Sequence, residues 1–328
     1  MDRRSPRRQI FRWWLLGYAF LKLLAILLVL AGLGATYESF MTLGDAQRFP
    51  PPGRMVDIGG RQLHLVCQGD TGGPTVVLET GYNSTSLAWI PLQQQLATEQ
   101  RVCAYDRAGS GWSDPGPLPR TPEHIADDLH ALLAAAGEPE PYILVAHSLG
   151  GRYVRMFALR YPEEVAGLVL IDVRSEYYDQ TISAADRAAM LEDYAASGQQ
   201  QLWLRRLGLL RLMMSDYPDL YQIAALHNAS AATQTAIASE MASREENDAE
   251  LQHTSLGNLP LRVLVATDSS AVPNWLASQQ AQAASSSASA LWQMPGGHGV
   301  SLENMPTVIA AIREVRQLWI DGHSSERE

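Results

Sequence analysis

The sequence predicts an α/β protein in which a mostly parallel sheet is covered by helices on both faces and is preceded by an apolar N-terminal helix. Strand-like apolar runs alternate with helical patterns over most of the chain, and this alternation requires parallel strands connected by helices. Residues 142–147 form one such run, which leads through Ser148-Leu149-Gly150-Gly151 into a helical pattern. At 328 residues and 46% hydrophobic, the chain can bury one large core or two modest ones.

The N-terminal region has the pattern of a membrane anchor. Residues 1–12 hold five arginines and one aspartate, and residues 13–35 are apolar apart from Lys22. This stretch is long enough to cross a hydrocarbon layer of about 30 Å at about 1.5 Å per residue. Arginines before an apolar run favour a cytoplasmic N-terminus and an exported remainder. A cleaved signal peptide, with secretion of the rest, is the alternative.

The charge balance argues against nucleic acid as a partner. The formal net charge is −10, and because residues 1–12 contribute +4, the rest of the chain carries −14. Affinity for phosphate comes largely from lysine and arginine. No metal ligand spacing is present and only two cysteines occur, Cys67 and Cys103, so we expect neither a metal site nor a cofactor.

Eight strands are predicted after a proline-rich linker at residues 36–54. The first two are joined by Gly59-Gly60 as a hairpin turn. The predicted strands are residues 55–58, 62–67, 75–80, 101–105, 142–147, 166–172, 261–267 and 288–294. Helices are expected near residues 87–98, 121–137, 152–161, 272–284 and from Pro306 onward.

The alternation of strands and helices is interrupted at residues 175–258. This insertion has helical periodicity and no convincing strand. Its apolar residues near Trp203, Leu207 and Met213 exceed what one helix face needs. We expect them to pack on the core, to line an apolar acyl pocket or to contact a bilayer.

Ser148 is the candidate nucleophile. A serine held on a sharp strand-to-helix turn needs small residues two positions to either side, and Ala146 and Gly150 occupy those positions. Such a hydroxyl is a weak nucleophile at neutral pH and requires a histidine base. His298 follows the last strand in the flexible loop Pro295–Gly299, where parallel sheets place functional groups. His147 is interpreted as structural, and the other six histidines as surface or helix positions.

Two carboxylates are candidates for orienting His298. Asp172 ends the strand after the serine helix, and Asp268 follows the next strand. We favour Asp172, because Asp268 comes very soon after its strand. A developing oxyanion needs two backbone N–H donors, for which we propose those of Leu149 and Tyr82.

Taken together, these parts resemble the α/β-hydrolase superfamily over residues 55–319. The resemblance rests on Thr80-Gly81-Tyr82, on the run from Tyr105-Asp106-Arg107 to Asp114, on Ala146-His147-Ser148-Leu149-Gly150-Gly151, and on the late Gly297-His298. Ala146 departs from the usual glycine. The resemblance implies an eight-stranded sheet and a helical cap at residues 175–258. In many members the acid follows the seventh strand, which favours Asp268, and in some it follows the sixth, where Asp172 lies.

The strand order of that family also bears on the two cysteines. It places the second and fourth strands side by side, and these strands contain Cys67 and Cys103. We therefore expect the two residues to face each other, as a disulfide if the domain is exported. A free, buried pair is the alternative.

The sequence thus predicts a basic cytoplasmic tail at residues 1–12, an anchor at 13–35, a linker at 36–54 and an α/β-hydrolase domain at 55–322. The expected activity is hydrolysis of a small-molecule acyl substrate, a carboxylic ester before an amide or thioester. Ser148 argues against dehalogenase and epoxide hydrolase chemistry, which use an aspartate nucleophile. A non-catalytic membrane-tethered binding protein and a cofactorless peroxidase or lyase are the alternatives. The sequence does not determine the oligomeric state.

Overall fold

The computed structural model describes residues 6–70, 72–246, 248–253, 255–300 and 303–324, with side chains from Trp13 onward. The basic tail predicted at residues 1–12 lies outside the described side chains, and residues 1–5 lie outside the described chain altogether. By internal contacts the chain divides into two compact units. One comprises residues up to Pro50 with Gln199–Leu226, and the other comprises Pro51–Gly198 with the residues from His227 onward.

The larger unit contains an eight-stranded sheet. Its strands are β1 (Arg54–Asp57), β2 (Gln62–Gln68), β3 (Thr75–Glu79), β4 (Val102–Tyr105), β5 (Tyr142–His147), β6 (Val165–Ile171), β7 (Leu261–Ala266) and β8 (Ser289–Met294). The order across the sheet is β1-β2-β4-β3-β5-β6-β7-β8. The pairs β1–β2 and β2–β4 are antiparallel, and all later pairs are parallel. The predicted mostly parallel, eight-stranded sheet is confirmed.

Twelve α-helices occur in the described residues. They are α1 (Pro6–Arg48), α2 (Ile90–Leu96), α3 (Pro122–Ala136), α4 (Gly150–Arg160), α5 (Glu176–Asp179), α6 (Ala184–Arg206), α7 (Leu209–Met214), α8 (Asp219–Asn228), α9 (Ala231–Ser243), α10 (Asp248–His253), α11 (Trp275–Ala283) and α12 (Met305–Ser324). The described residues between β6 and β7 contain helices α5–α10 and no strand, as expected for a helical insertion.

Helices cover both faces of the sheet. On one face, side chains of α3 and α4 such as Leu129 and Phe157 pack against Leu144 and Leu168. On the other face, α2 and α12 contribute Leu92 and Ile312 to a cluster with Val145 and Val169. Because β5 and β6 are buried on both faces, their sequences are continuous apolar runs rather than alternating ones.

The two cysteines form a disulfide. Cys67 on β2 lies directly opposite Cys103 on β4 in the strand register, with 4.0 Å between their Cα atoms. The prediction that they face each other is confirmed, and the alternative of a free pair is wrong. A cluster of Cys67, Cys103 and Glu138 has metal-like spacing, but thiols joined in a disulfide do not provide thiolate ligands.

Two segments differ from the sequence prediction. The linker expected from Thr36 is helical as far as Arg48, because α1 continues past its apolar part. Within the smaller unit, Glu38 and Asp45 on this extension accept hydrogen bonds from Arg211, and these ion pairs stabilise a helix that the composition alone does not favour. The helix expected from Val272 begins at Trp275, since Pro273 disfavours a helical conformation in the preceding residue.

Candidate active site

Ser148 lies on a sharp turn between β5 and α4. Its φ of +51° is in the left-handed region, which is rare for a residue with a side chain and marks a strained turn. The turn depends on Gly150, because a Cβ there would lie 2.5 Å from the carbonyl oxygen of Thr80 and 2.7 Å from Cγ of Glu79. Ala146 is fully buried on β5, so its methyl group is accommodated where the usual motif has glycine.

Three of the candidate residues lie within hydrogen-bonding distance of one another. His298 Nε2 is 2.9 Å from Ser148 Oγ, and His298 Nδ1 is 2.6 Å from Asp172 Oδ2. In the tautomer that satisfies both contacts, the Ser148 hydroxyl donates to Nε2 and the Nδ1–H donates to the carboxylate. The chain therefore brings together a hydroxyl, an imidazole and a carboxylate from the ends of β5, β6 and β8.

Asp172 is fully buried and its carboxylate is surrounded by donors. Burial by itself raises the pKa of Asp172, but hydrogen bonds from His298, from the Ser269 hydroxyl and from Trp275 Nε1, together with the N–H of Ala266, hold the pKa below its ordinary value. A carboxylate that stays ionised beside an imidazole can orient that ring and stabilise the imidazolium form.

Asp268, the alternative acid, lies apart from this contact set. Its side chain is exposed, and its backbone N–H donates to the Gly296 carbonyl at 3.2 Å. The residue begins a short 3-10 turn, Ser269–Ala271, directly after β7. The backbone of Asp268, rather than its side chain, thus holds the loop that precedes His298.

The two candidate oxyanion donors belong to segments that adjoin Ser148. Leu149 precedes the first residue of α4, and Tyr82 follows Gly81, where a Cβ would lie 3.0 Å from Ser148 Cβ. Neither N–H donates to a backbone carbonyl among the described residues, so the two amides are available to a bound anion.

The side chain of Tyr82 faces the cap. Its ring is 4.6 Å from that of Tyr194 on α6, and burial, followed by the charge of Tyr194, raises the pKa of Tyr82.

Arg107 joins the loop after β3 to the cap. Its guanidinium is buried and donates to the carbonyl oxygens of Thr80 and Gly81 at 2.8 and 3.0 Å. It also donates to Glu79 Oε1 at 2.6 Å and to Glu240 Oε1 on α9 at 3.0 Å. Because the Thr80 and Gly81 carbonyls precede the N–H of Tyr82, this side chain fixes the direction of that amide.

His147 contacts the candidate base through the main chain. Its Nε2–H donates to the carbonyl oxygen of His298 at 2.6 Å, and the two rings are 4.8 Å apart. Burial and the neighbouring His298 lower the pKa of His147 to about 4. The ring is therefore neutral at neutral pH and holds the loop that bears His298.

This pKa predicts how stability depends on pH. An unfolded histidine titrates near pH 6.5, so the unfolded chain binds this proton more readily than the folded one between pH 6.5 and about 4. The contribution of His147 to the free energy of unfolding therefore decreases as the pH falls through this window. We expect His147→Gln, which keeps an N–H donor but does not titrate, to lose less thermal stability over the window than the natural chain. If the melting temperatures of the two proteins fell equally with pH over this window, the low pKa assigned to His147 would be contradicted.

The interpretation of His64 as a surface or helix position is wrong. His64 lies on β2 and is fully buried, with Nδ1 2.9 Å from Oδ2 of Asp106. Burial by itself raises the pKa of Asp106, but this contact and the N–H groups of Ser86 and Trp112 hold the pKa below its ordinary value. Alternation along β2 places His64 on the face opposite Leu63 and Leu65, so the local sequence offers no signal that this face is also covered.

Comparison with known proteins identifies the family. A family model described as the alpha/beta hydrolase fold matches residues 74–297. This chain belongs to the α/β-hydrolase family. A structure of a thermophilic esterase from Thermogutta terrifontis is 22% identical, with a TM-score of 0.58 over 80% of this chain and 98% of that one. A hydrolase from Pseudomonas aeruginosa PA01 is also 22% identical, with a TM-score of 0.61 over 80% of this chain and 98% of that chain.

Similarity to curated sequences is more local. The uncharacterized protein YqjL of Bacillus subtilis (strain 168) is 34% identical over 115 residues, which are 35% of this α/β-hydrolase and 46% of YqjL. The α/β-hydrolase spans less than half the length of the first two curated relatives that it matches. These relatives therefore leave the activity and the substrate open.

Several residues of the site were not singled out from the sequence of this α/β-hydrolase. Ser269 and Trp275 donate to Asp172, and Glu240 pairs with Arg107 across 133 positions of sequence. Ser269 and Trp275 lie in the segment after β7, whose irregular path gives no periodic signal. Arg107 stood inside a recognised motif, but only the fold shows which carbonyls it binds.

Proposed function

We propose that this α/β-hydrolase is a serine hydrolase that cleaves a carboxylic ester through an acyl-enzyme. The observation that carries the proposal is the contact chain from Ser148 Oγ to His298 Nε2 at 2.9 Å and from His298 Nδ1 to Asp172 at 2.6 Å. A serine becomes nucleophilic when a histidine accepts its proton, and the carboxylate stabilises the cation that results.

The reaction follows from these positions. Ser148 Oγ attacks the ester carbonyl as its proton passes to His298 Nε2, and the tetrahedral oxyanion binds the N–H groups of Tyr82 and Leu149. His298 then gives the proton to the departing alcohol. Water attacks the acyl-enzyme with His298 again as base, and the acid is released with Ser148 restored. Amides and thioesters would react by the same steps.

A panel of substrates tests the reaction class. The purified full chain is assayed with matched ester, thioester and amide derivatives of one acyl group, with acyl lengths from two carbons upward. The proposal predicts ester hydrolysis as the fastest reaction, without added metal or cofactor. Saturable binding without turnover would favour a tethered binding protein. Turnover only with hydrogen peroxide, or by elimination, would favour the peroxidase or lyase alternative.

Arg107 supplies a sharper test of the oxyanion site. Lysine at this position keeps a positive charge between Glu79 and Glu240 but cannot hold two carbonyls and two carboxylates at once. We expect Arg107→Lys to lower kcat by about tenfold to a hundredfold with a nearly unchanged KM, because the Tyr82 amide loses its alignment.

The matched control for this variant is Arg155→Lys. Arg155 is equally buried, pairs with Glu176 at 2.7 and 2.8 Å, and binds the Leu251 carbonyl. Within the described part of the chain, it makes no hydrogen bond to the loop from Thr80 to Tyr82. We expect a similar loss of thermal stability and a kcat close to that of the natural chain. Equal kcat losses in the two variants would show that Arg107 acts only through general stability.

We further propose that α1 anchors the chain, with a cytoplasmic N-terminus and an exported hydrolase domain. One helix among the described residues is long and apolar enough to cross a membrane. The Cys67–Cys103 disulfide supports export, because disulfides persist in oxidising compartments. Alkaline phosphatase fused to the C-terminus, which is active only when exported, should be active in membrane-bound material. An inactive fusion would contradict the orientation, and activity in the soluble fraction would favour cleavage and secretion.

A further inference from the structure

The segment from Trp203 to Tyr221 lies in the same compact unit as α1 and exposes many apolar side chains. This segment, here called the cap hairpin, contains the end of α6, all of α7 and the start of α8. Large apolar groups that are 37–62% exposed follow one another along it: Trp203, Leu209, Leu212, Met213, Tyr217, Leu220 and Tyr221. Among the apolar residues for which the sequence left three expectations open, packing on a core does not account for those that are exposed: Trp203, Leu209, Leu212 and Met213. The others are half-buried: Leu202, Leu204, Leu207, Leu210 and Met214.

The cap hairpin contacts α1 at defined positions along that helix. A Cβ built on Gly34 would lie 2.1 Å from the Leu207 carbonyl oxygen, and one built on Gly208 would lie 2.9 Å from the Gly34 carbonyl oxygen. Only glycine permits so close a backbone approach. Further along α1, Arg211 donates to Glu38 Oε2 at 2.6 Å and to Asp45 Oδ1 at 2.9 Å.

These contacts place the first part of the cap hairpin at the end of the apolar span. Residues 13–35 measure about 35 Å as a helix, slightly more than a hydrocarbon core of about 30 Å. Gly34 is at the limit of that span, and Glu38 and Asp45 are about 6 Å and about 16 Å beyond it. The interfacial layer extends about 5–7 Å beyond the hydrocarbon on each side. The turn at Leu207-Gly208 thus lies at that layer and α7 follows next to it. The start of α8 lies beyond the layer, since Asp219 accepts a hydrogen bond of 2.9 Å from Arg48, which is about 21 Å past Gly34 along α1.

The distribution of charge fits the same location. Arg205 and Arg211 both donate to Glu38, and Arg48 pairs with Asp219, so these cations are neutralised within the unit. Arg206 and Asp216, in contrast, remain exposed. What remains outward includes Trp203 at 56%, Met213 at 62% and Tyr221 at 60% exposure. Tryptophan and tyrosine are enriched at membrane–water interfaces, because their rings combine an apolar body with a polar group.

We propose that the first part of the cap hairpin, from Trp203 to Met213, is a second membrane contact, which lies in the interfacial layer of the bilayer that α1 spans, with Trp203, Leu212 and Met213 against lipid. The occupant is the lipid surface itself, because α1 holds the turn at Leu207-Gly208 at the level where that surface begins. The proposal rests on α1 as a span and is independent of the hydrolytic activity.

A fluorescence depth measurement tests this contact. Single cysteines are introduced in the full chain at Met213 and, as a reference for the span, at Leu28, whose side chain is 64% exposed near the middle of the apolar stretch. Both are labelled with an environment-sensitive fluorophore, while Cys67 and Cys103 remain in their disulfide. The proteins are reconstituted in phosphatidylcholine vesicles that contain lipids with a nitroxide at a shallow or a deep position.

The expected result is strong quenching of the Met213 label by the shallow nitroxide and weak quenching by iodide in the water. The Leu28 label should be quenched by the deep nitroxide. Quenching at Leu28 with free access of iodide at Met213 would overturn the proposal and leave the span intact. Absence of quenching at both positions would overturn the span and the proposal together. A Met213 label shielded from both quenchers would show that protein, such as a second copy, covers the hairpin, which also overturns the proposal.

Discussion

Ser148→Ala is expected to lower kcat for ester hydrolysis by a factor of about 10⁶ while substrate binding and the melting temperature change little. The loss is this large because the substitution removes the atom that forms the acyl-enzyme, and neither His298 nor the backbone amides can replace it. The substitution removes only the hydroxyl group and keeps Cβ, so we expect the packing around residue 148 to stay the same. The measurement is kcat and KM from rates over a range of substrate concentrations that reaches saturation. Thermal unfolding of the variant checks that it folds.

The matched control for Ser148→Ala is Ser287→Ala. Ser287 is exposed before β8, at the opposite end of the strand from the loop that bears His298, and its hydroxyl donates to the Gly257 carbonyl. We expect natural activity from this variant. Retention of substantial ester hydrolysis by Ser148→Ala would show that another group is the nucleophile.

Asp172→Asn is expected to reduce kcat by about 10⁴, with the fold retained. The amide has nearly the shape of the carboxylate and can still accept bonds from Trp275 Nε1 and the Ala266 N–H. It cannot, however, stabilise an imidazolium, and it favours the tautomer of His298 that leaves Nε2 protonated. The reaction then lacks a base for Ser148.

Asp268→Asn is the comparison that decides between the two candidate acids. Asp268 is exposed, and the bond that it makes to Gly296 uses its backbone N–H, which the substitution leaves in place. We expect only a small change in kcat. The reverse pattern, with a large loss in Asp268→Asn and a small one in Asp172→Asn, would transfer the role of the acid to Asp268.

The parts of the fold that local sequence determines were predictable. The apolar run of β5, the small residues around Ser148 and the glycine-rich loop before α12 each leave a signal within a few positions. Because parallel strands end at one edge, strand assignment was enough to bring Ser148, Asp172 and His298 to the same region. The pairing of Cys67 with Cys103 followed from the strand order of the family rather than from the residues alone.

Contacts between distant segments were not predictable in the same way. The Arg107–Glu240 pair and the hydrogen bond from His147 to the His298 carbonyl depend on how loops and cap helices pack, and neither has a periodic signal. The extension of α1 to Arg48 depends on ion pairs with a segment more than 160 positions away. The local sequence of residues 36–48 therefore predicted a linker rather than a helix.

The most direct test of the central claim is covalent labelling of the full chain by a fluorophosphonate, with the modified residue located by peptide mass spectrometry. The proposed chemistry predicts a single adduct, on Ser148, which forms rapidly in the natural chain and very slowly in His298→Ala. An unmodified Ser148 in folded protein, or a labelling rate that does not depend on His298, would contradict the proposed serine hydrolase mechanism.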